Sequence, residues 1–548
     1  ERRESLVYHA KPRPGKIEVV PTKKYNSQRD LAIAYSPGVA IPCQEIDKDP
    51  SNVYKYTNKS NLVAVISNGT AVLGLGDIGP GASKPVMEGK ALLFKIFADI
   101  DVFDIEINEK DPDKFVDVVK SISTTFGGIN LEDIKAPEAF KIEKDLINQL
   151  DIPVMHDDQH GTAIISAAAL LNALELANKK IEDIKIVVSG AGAAAVACTN
   201  VYISFGAKLK NIVMTDSKGV IRKDRDNLTD EKKYFATERN ISSLEEAMVD
   251  SDVFIGLSMA NIVSKEMLRS MSKNPIVFAM ANPDPEINYD KAMSVRDDII
   301  FATGRSDLPN QVNNVLGFPF IFRGALDVRA TTINEEMKKA AVIALAELAK
   351  KPVPEQVNIA YDETKLNFGK HYIIPKPFDP RLISEIPPAV AKAAIKSGVA
   401  QEPITDWDKY TQVLEERLGS NQKLIRIIHR KAIKAKDKKL VFAEADHLDV
   451  LKAAQICFEE GIAEPILLGG KKIIEELMDS LEFNEKIEII DPKDKINKER
   501  IDKYSHILFK KLKRKGKTLD DVKRLLRGRD YFGSMMVENG DADCMLSG

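Results

Sequence analysis

The sequence contains few cysteines and almost no net charge. Its four cysteines, Cys43, Cys198, Cys457 and Cys544, lie far apart in 548 residues and form neither a CxxC pair nor a zinc-binding spacing. This usage argues against a disulfide framework and predicts a cytoplasmic protein. With 79 basic and 82 acidic residues, the formal net charge is −3, so no global basic field is available to attract nucleic acid.

Long apolar runs are also scarce. The weakly charged run at residues 186–207 contains Gly190, Gly192 and Gly206, and it reads better as a strand, a glycine turn and a helix than as a membrane span. The sequence therefore predicts no membrane partner. The basic run Lys510–Lys517 contains no interleaved aromatic residue, which is typical of a solvated helix face and not of a nucleic-acid site.

A turn rich in carboxylates and imidazoles, His156-Asp-Asp-Gln-His-Gly-Thr162, lies between a predicted strand at residues 152–155 and an alanine-rich helix. Clustered carboxylates repel one another and are costly to hold together without a cation, so the turn suits a hard-cation site. The competing interpretation is that Asp157 or Asp158 caps the helix that follows. Local sequence leaves these two interpretations balanced.

Two further acidic residues precede this turn in the chain. Glu132 and Asp133 come at the end of a short predicted strand, and a proline turn follows, so both carboxylates can face one ion. With Asp158 they form a set of three carboxylates of the kind that Mg²⁺ or Mn²⁺ prefers. His156 and His160 keep zinc as the alternative metal.

The segment Gly74-Leu-Gly-Asp-Ile-Gly79 matches the G-x-G-x-x-G fingerprint of dinucleotide-binding turns but not its context. Such a fingerprint opens a helix, and the prolines that follow predict that the next helix begins only near Pro85. That helix carries lysines, one of which can act as a base if burial lowers its pKa. Spacing does not choose among Lys84, Lys90 and Lys95.

A second fingerprint lies within residues 184–195, in the expected context of an apolar strand before it and an uninterrupted helix after it. The next predicted strand, residues 211–215, leads to Asp216 and completes a βαβ unit of the dinucleotide-binding type. Glycines permit the tight turn and a close approach to a pyrophosphate, while the helix N-terminus donates amides. The residues predicted to contact the cofactor here are Gly190, Ala191, Gly192 and Ala193.

The pattern leaves the identity of the nucleotide open. Asp216 would bind the 2′-hydroxyl of NAD, whereas Ser217 and Lys218 would receive the 2′-phosphate of NADP. Three further predicted strands between residues 253 and 302 extend a doubly wound sheet. Asn282 lies in a turn at the carboxyl edge of that sheet, where it would face the cofactor.

Two shorter motifs carry side chains suited to substrate chemistry. Tyr35 precedes a Ser-Pro-Gly turn, and its phenol can act as a general acid, although an isolated tyrosine is more often a packed aromatic. The amides of Asn313 and Asn314 can bind a carboxylate or a hydroxyl, and the same pair elsewhere would be a loop.

Taken together, these motifs resemble the malic enzymes, specifically the bacterial small-subunit type with a phosphotransacetylase-like extension. The motifs that carry the resemblance, in the family's order, are Ala34-Tyr-Ser-Pro-Gly-Val-Ala40, Gly74–Gly79, Glu132-Asp133, His156–Thr162 and Asn313-Asn314. The resemblance implies oxidative decarboxylation of L-malate to pyruvate and CO₂. It also implies a requirement for Mg²⁺ or Mn²⁺ and for NADP, with NAD as the alternative cofactor.

The resemblance also assigns roles by position. The residues that match the family's general acid and general base are Tyr35 and Lys90. Those that match its metal ligands are Glu132, Asp133 and Asp158. Those that match its substrate and nicotinamide contacts are Asn282, Asn313 and Asn314. One feature departs from the larger eukaryotic-type members, in which an arginine before the first glycine motif binds the substrate, because Asn68-Gly-Thr-Ala71 offers none.

The predicted fold class is α/β with three domains, which agrees with a length of 548 residues. An N-terminal α/β domain for substrate and metal occupies residues 1–160. A Rossmann-type doubly wound NAD(P) domain with C-terminal helices occupies residues 161–420. Residues 421–548 resemble the opening part of a phosphotransacetylase-like α/β domain, from which the acyl-transfer site is missing.

The resemblance further implies acetyl-CoA as an effector of the C-terminal region and a homo-oligomer, a dimer or higher. A second hypothesis, of another class, is an acetyl-CoA-sensing regulatory or scaffold protein with a vestigial dehydrogenase half. The enzyme hypothesis is favoured because the residues that match the family's acid, base and metal ligands are all present. They are Tyr35, Lys90, Glu132, Asp133 and Asp158.

Overall fold

The computed structural model describes residues 2–72, 74–282, 284–361, 366–417, 431–432, 435, 438–459, 461–481, 483 and 485–547. The chain divides into two compact units, one of residues 1–351 with 365–418 and the other of residues 352–364 with 419–548. Both units are α/β, and their sheets are built mainly from parallel strands, as the sequence predicted.

The first sheet of the larger unit has the order β2-β1-β3-β4, and its strands are all parallel. Every residue of the central strand β1 is buried, as expected for a parallel strand covered on both faces. Val63 and Val65 join the larger core, while Ala64 and Ile66 face a second core. The strands are β1 (Leu62–Ser67), β2 (Asp101–Glu106), β3 (Gly128–Leu131) and β4 (Val154–His156).

The second sheet of this unit has the order β10-β9-β8-β5-β6-β7, in which only the short edge strand β7 runs antiparallel to its neighbour. After β5 the chain first adds β6 and β7 on one side of this strand and then adds β8, β9 and β10 on the other side. A ligand crevice is therefore expected at the carboxyl ends of β5 and β8, where the strand order reverses. The strands are β5 (Ile186–Ser189), β6 (Ile212–Asp216), β7 (Gly219–Val220), β8 (Val253–Gly256), β9 (Ile276–Ala279) and β10 (Ile300–Thr303).

Helices cover both sheets of the larger unit. They are α1 (Arg2–Ala10), α2 (Gln28–Ala34), α3 (Ala40–Lys48), α4 (Val53–Tyr56), α5 (Pro80–Ala98), α6 (Pro112–Ile122), α7 (Glu138–Gln149), α8 (Asp157–Ala177) and α9 (Ala193–Ser204). The later helices are α10 (Asp230–Phe235), α11 (Leu244–Met248), α12 (Lys265–Ser270), α13 (Tyr289–Met293), α14 (Phe318–Asp327) and α15 (Glu335–Lys350). After a short helix that belongs to the smaller unit, the chain returns to form α17 (Leu382–Lys396) and α18 (Trp407–Arg417).

The smaller unit contains a parallel sheet of order β13-β12-β11-β14. Its strands are β11 (Lys439–Phe442), β12 (Glu464–Leu468), β13 (Glu488–Ile490) and β14 (Cys544–Leu546). Its helices are α16 (Glu355–Ala360), α19 (Leu448–Glu459), α20 (Lys471–Ser480), α21 (Lys498–Leu512), α22 (Leu519–Leu525) and α23 (Arg529–Glu538).

Two helices bear directly on the sequence predictions. Helix α5 begins at Pro80, so the prediction of a start near Pro85 was wrong. Proline is favoured at the first helical position, where its missing N–H is not needed, and the helix also accommodates Pro85. Helix α8 is apolar and long enough by composition to cross a membrane, yet 72% of its most apolar window is buried inside the protein, so it serves as a core helix.

Candidate active site

Two neighbouring strands bring the predicted metal ligands together. Leu131 at the end of β3 lies opposite His156 at the end of β4, so the acidic residues that follow each strand meet at one edge of the sheet. Asp133 has a φ of 53°, which breaks the extended geometry that would send adjacent side chains to opposite faces. Its backbone N–H donates to Asp158 Oδ2 at 2.8 Å and joins the two turns.

The carboxylates of Glu132, Asp133 and Asp158 form a cluster in which one oxygen of each lies within 4.8 Å of the others. Glu132 and Asp133 are buried, with exposures of 4% and 2%. Burial, reinforced by the neighbouring acids and opposed by Lys90, raises the pKa of Glu132 well above its ordinary value. The oxygen-only donor set fits Mg²⁺ or Mn²⁺.

Of the three candidate lysines, only Lys90 reaches this cluster. Its Nζ lies 2.8 Å from Glu132 Oε1 and 2.7 Å from Asp157 Oδ2, and its side chain is 10% exposed. Lys84 pairs with Asp104 instead. Lys95 pairs with two aspartates on the surface and is 52% exposed. The structure therefore identifies Lys90 as the lysine beside the cluster, which residue spacing alone could not do.

The net shift in the pKa of Lys90 is opposite to the shift that burial alone would give. Burial by itself lowers the pKa of Lys90, but the carboxylates of Asp157 and Glu132 raise it by more, and the net pKa lies above the ordinary value. An ammonium surrounded by anions is harder to deprotonate than one in water. Lys90 is therefore protonated until the negative charge around it is compensated.

The structure pairs Asp157 with Lys90, a contact that local sequence did not predict. It is fully buried and does not cap α8, whose N-cap has no side-chain hydrogen bond. Its Oδ2 accepts from Lys90 and, at 3.1 Å, from Asn314 Nδ2. Asn314 Oδ1 in turn accepts from the Thr162 hydroxyl at 3.0 Å. A Cβ at Gly161 would lie 2.0 Å from Asp157 Oδ1, which explains the glycine of the motif.

The two histidines of the turn lie outside the carboxylate cluster. Glu143 accepts from the backbone N–H of His156 at 2.8 Å and lies 3.0 Å from His160 Nε2. Lys338 Nζ lies 3.1 Å from His160 Nδ1. Although burial opposes it, His160 lowers the pKa of Glu143 to about 2. Both nitrogens of His160 are thus engaged by structural partners, which argues against a zinc ligand.

The remaining residues predicted to bind substrate differ in their surroundings. Asn313 Oδ1 accepts from the backbone N–H of Val315 and caps a short 3-10 helix. Asn282 is exposed. Tyr35 follows α2 and is 77% exposed. The structure therefore does not bring Tyr35 or Asn282 into contact with the carboxylate cluster.

The second glycine fingerprint has the geometry of a dinucleotide turn. Gly190 has a φ of 120°, and a Cβ there would lie 2.5 Å from the backbone oxygen of Leu257 at the end of β8. A Cβ at Gly192 would meet nothing within 4 Å, so open space lies beside this residue. Helix α9 begins at Ala193 without a side-chain cap, which leaves its first amides available to a pyrophosphate. Ala191 lies between the two glycines.

Asp216, at the end of β6, is already saturated with hydrogen bonds. It accepts from both terminal nitrogens of Arg225 at 3.0 Å, from Lys232 at 2.8 Å and from the backbone N–H of Lys218 at 2.9 Å. Burial opposes ionisation, but these donors hold the pKa of Asp216 well below its ordinary value. Four accepted bonds fill the capacity of a carboxylate. The side chains of Ser217 and Lys218 are exposed beside it.

A dinucleotide turn and a buried carboxylate cluster with a lysine, held in one compact unit, indicate the class of NAD(P)-linked oxidoreductases. Comparison with known families makes this class specific. Residues 14–147 match the malic enzyme N-terminal domain, and residues 159–364 match the malic enzyme NAD-binding domain. Residues 423–548 match the phosphate acetyl/butaryl transferase family. The chain belongs to the malic enzyme family and carries a phosphotransacetylase-like extension.

Individual relatives agree with this assignment. The chain is 52% identical over 554 residues to an NADP-dependent malic enzyme of Haemophilus influenzae, a match that covers all of this chain and 73% of that protein. It is 48% identical over 556 residues to an NAD-dependent malic enzyme of Rhizobium meliloti, of which it covers 71%. The crystal structure of a malic enzyme from Pyrococcus horikoshii is 42% identical with a TM-score of 0.70, covering 78% of this chain and 98% of that one.

Proposed function

We propose that this malic enzyme oxidatively decarboxylates L-malate to pyruvate and CO₂ with NADP⁺ as its preferred oxidant and NAD⁺ as the alternative. The observation that carries the proposal is the placement of Lys90 against Glu132 and Asp157, beside the three-carboxylate cluster. The intact carboxylate cluster beside Lys90 supports the enzyme over the alternative of a scaffold with a vestigial dehydrogenase half.

The cation, the nicotinamide cofactor and the side chains of the protein would each contribute a separate part of the reaction. When bound by Glu132, Asp133 and Asp158, Mg²⁺ or Mn²⁺ would polarise the C2 oxygen of the substrate, and NADP⁺ bound along the glycine turn would accept hydride. The cation's charge would also offset the carboxylates that raise the pKa of Lys90. Lys90 Nζ can then remove the proton of the C2 hydroxyl as a general base.

The remaining steps need an orienting group and an acid. Asp157 holds Lys90 in place, and Asn314 holds Asp157 through a hydrogen bond of 3.1 Å. We assign Tyr35 as the acid that donates its phenolic proton to C3 after CO₂ has left, which gives pyruvate and a phenolate that solvent reprotonates. Asn282 and Asn313 are assigned to the substrate and nicotinamide contacts by their positions in the family motifs.

The preference for NADP⁺ rests on the corner at the end of β6. Because the Asp216 carboxylate already accepts four hydrogen bonds, it has no vacant lone pair for the 2′-hydroxyl of NAD. Arg225 and Lys232 outnumber it in charge, and the exposed Ser217 and Lys218 add further donors. A dianionic 2′-phosphate is the complementary partner for such a corner.

The proposal is tested by malate-dependent reduction of NADP⁺ and NAD⁺, measured side by side in excess Mn²⁺. We expect turnover with both oxidants and a higher kcat/KM for NADP⁺, and we expect EDTA to abolish both. Absence of turnover with either oxidant across a range of metal concentrations would falsify the enzyme assignment. A higher kcat/KM for NAD⁺ would overturn only the cofactor preference.

Further proposals concern organisation and setting. We assign residues 1–160 to substrate and metal, residues 161–420 to the nucleotide, and residues 421–548 to a regulatory or oligomerising role with acetyl-CoA as the effector. The phosphotransacetylase-like match over residues 423–548 supports the last assignment. We place the protein in the cytoplasm as a homo-oligomer. None of the four cysteines, all of which lie among the described residues, forms a disulfide, which supports a reducing compartment.

A further inference from the structure

Glu286 is a buried carboxylate with no part in the proposed chemistry. It lies in the loop that follows β9, and its side chain is fully buried. The exposed Asn282 belongs to the same loop, at the carboxyl edge of the second sheet. A carboxylate is costly to bury, and carboxylates that are buried against this cost are concentrated at functional sites.

The carboxylate of Glu286 joins the loops that follow two neighbouring strands. Its Oε1 accepts from the backbone N–H of Ser258, after β8, at 3.0 Å. Its Oε2 accepts from the backbone N–H of Ala281, after β9, at 3.1 Å. Burial raises the pKa of Glu286, and its hydrogen bonds with the backbone oppose this rise. Each oxygen of the carboxylate therefore fixes one loop.

The end of β8 leaves room for this carboxylate. A Cβ at Gly256, the last residue of β8, would lie 2.3 Å from the carboxyl carbon of Glu286 and 2.5 Å from its Oε2. No side chain fits at such distances. The glycine at the end of the strand is therefore explained by the close approach of Glu286.

The loop after β8 also contacts the glycine turn of the dinucleotide fingerprint. Ser189 directly precedes Gly190, and its Oγ lies 2.9 Å from the Oγ of Ser258. A Cβ at Gly190 would lie 2.5 Å from the backbone oxygen of Leu257. The other fixed loop carries Asn282. One buried carboxylate thus links the glycine turn to the loop of the predicted nicotinamide contact.

We propose that Glu286 is a positioning residue for the cofactor, which holds the loops after β8 and β9 in the geometry that receives the nicotinamide end of NADP⁺. It acts through the backbone of Ser258 and Ala281 and does not touch the cofactor itself. The inference rests on the proposed function, in which the cofactor lies along the glycine turn and Asn282 contacts the nicotinamide.

A carboxylate at the opposite edge of the same sheet provides a comparison. Asp252 directly precedes β8 and accepts from the backbone N–H of Lys185, which directly precedes β5, at 2.8 Å. It also accepts from the Ser272 hydroxyl at 2.7 Å and from Lys179 Nζ at 2.6 Å. Both carboxylates fix backbone segments, but only Glu286 does so at the carboxyl edge, where parallel sheets bind ligands.

The test is Glu286→Gln in the full chain. Glutamine keeps the shape of the side chain but replaces one acceptor oxygen with a donor amide, so that one backbone N–H loses its partner. We expect the dissociation constant of NADPH, measured by fluorescence titration, to rise about tenfold. The dissociation constant of Mn²⁺, measured by electron paramagnetic resonance, should stay unchanged, because the carboxylate cluster follows strands of the first sheet. The KM for NADP⁺ in the malate assay should rise in parallel with the dissociation constant of NADPH.

Two further variants separate positioning from a general effect on the fold. Asp252→Asn is the matched control, because it weakens a carboxylate of the same sheet away from the glycine turn. It should lower the melting temperature and leave the dissociation constant of NADPH unchanged. Glu286→Ala removes both acceptor oxygens and should weaken NADPH binding more than Glu286→Gln does.

The outcomes that would overturn the proposal are distinct. An unchanged affinity of Glu286→Gln for NADPH is one, and an equal loss of NADPH affinity in Asp252→Asn is another. A parallel loss of Mn²⁺ affinity, or failure of Glu286→Gln to fold, would assign the carboxylate to the stability of the fold instead. Failure of the proposed function is distinguishable, because wild-type protein would then bind NADPH without turning over malate.

Discussion

The carboxylate cluster after β3 and β4 and the corner at the end of β6 are opposite in their charge balance. Lys90 pairs with Glu132 and Asp157 beside the three-carboxylate cluster, whereas Arg225 and Lys232 pair with the single carboxylate of Asp216 in the corner. The first region has negative charge to be compensated by a cation, and the second has positive charge to be compensated by an anion. The charge that each region lacks therefore indicates the kind of ligand it takes.

The pKa shifts follow the same division. Burial, with neighbouring acids, raises the pKa of Glu132 and Asp157 despite the presence of Lys90. In the corner, burial also opposes ionisation, but Arg225 and Lys232 outweigh it and lower the pKa of Asp216. Keeping Glu132 and Asp157 ionised therefore costs free energy, and a divalent cation can offset that cost.

The largest expected effect comes from removing the cation that the protein itself supplies to the cluster. Lys90→Ala should lower kcat by about a thousandfold, within the range for loss of a general base, while the KM for malate changes little. The matched control is Lys84→Ala on the same helix, which should retain most activity because Lys84 pairs with Asp104 and not with a carboxylate of the cluster. Substantial turnover by Lys90→Ala would point to a different base.

A smaller effect is expected from weakening the cluster itself. Asp158→Asn keeps the size of the side chain and its hydrogen bond from Asp133, yet removes one negative charge. The Mn²⁺ concentration for half-maximal activity should rise about tenfold or more, and the melting temperature without metal should stay within a few degrees of wild type. Asp151→Asn, on an exposed side chain before the turn, serves as control. An unchanged metal requirement would remove Asp158 from the ligand set.

The smallest expected effect tests the opposite region. Lys232→Ala removes one of the two cations beside Asp216 and should raise the KM for NADP⁺ by about tenfold, as expected for one charged hydrogen bond, with little change for NAD⁺. Lys223→Ala, whose partner is the exposed Glu238, should leave both values unchanged. Equal losses with the two cofactors would show that the corner does not discriminate between them.

Much of this architecture was predictable from local patterns. The alternation of apolar strands, glycine turns and helices predicted the α/β class and the doubly wound sheet around β5, and the second fingerprint was recognised because a strand precedes Gly190 and a helix follows Gly192. The trio Glu132, Asp133 and Asp158 was predicted from carboxylates that follow predicted strands and from the family resemblance, and the structure brings the three together. These features depend on residues close in sequence or on general rules of sheet geometry.

Other features depend on pairs of residues that no local pattern relates. The contact between Lys90 and Asp157 joins residues 67 positions apart, and that between Asn314 and Asp157 joins residues 157 positions apart. Burial lowers the pKa of Lys90 and the nearby carboxylates raise it. The distances from Lys90 to those carboxylates decide which effect is larger, and these distances depend on contacts between distant segments. The sequence could therefore predict a lysine base but not the state of its proton.

By itself the sequence determined the fold class, the order of the motifs, the chemical types of the ligands and membership of the malic enzyme family. Only the tertiary structure decided that Lys90 is the lysine beside the cluster and that Asp157 holds it. It also decided that Asp216 already accepts hydrogen bonds from Arg225 and Lys232. Tyr35 is exposed to solvent, which the sequence did not predict. The physical reason is that side-chain chemistry is a local property, whereas partners, burial and net charge are set by the packing of distant segments.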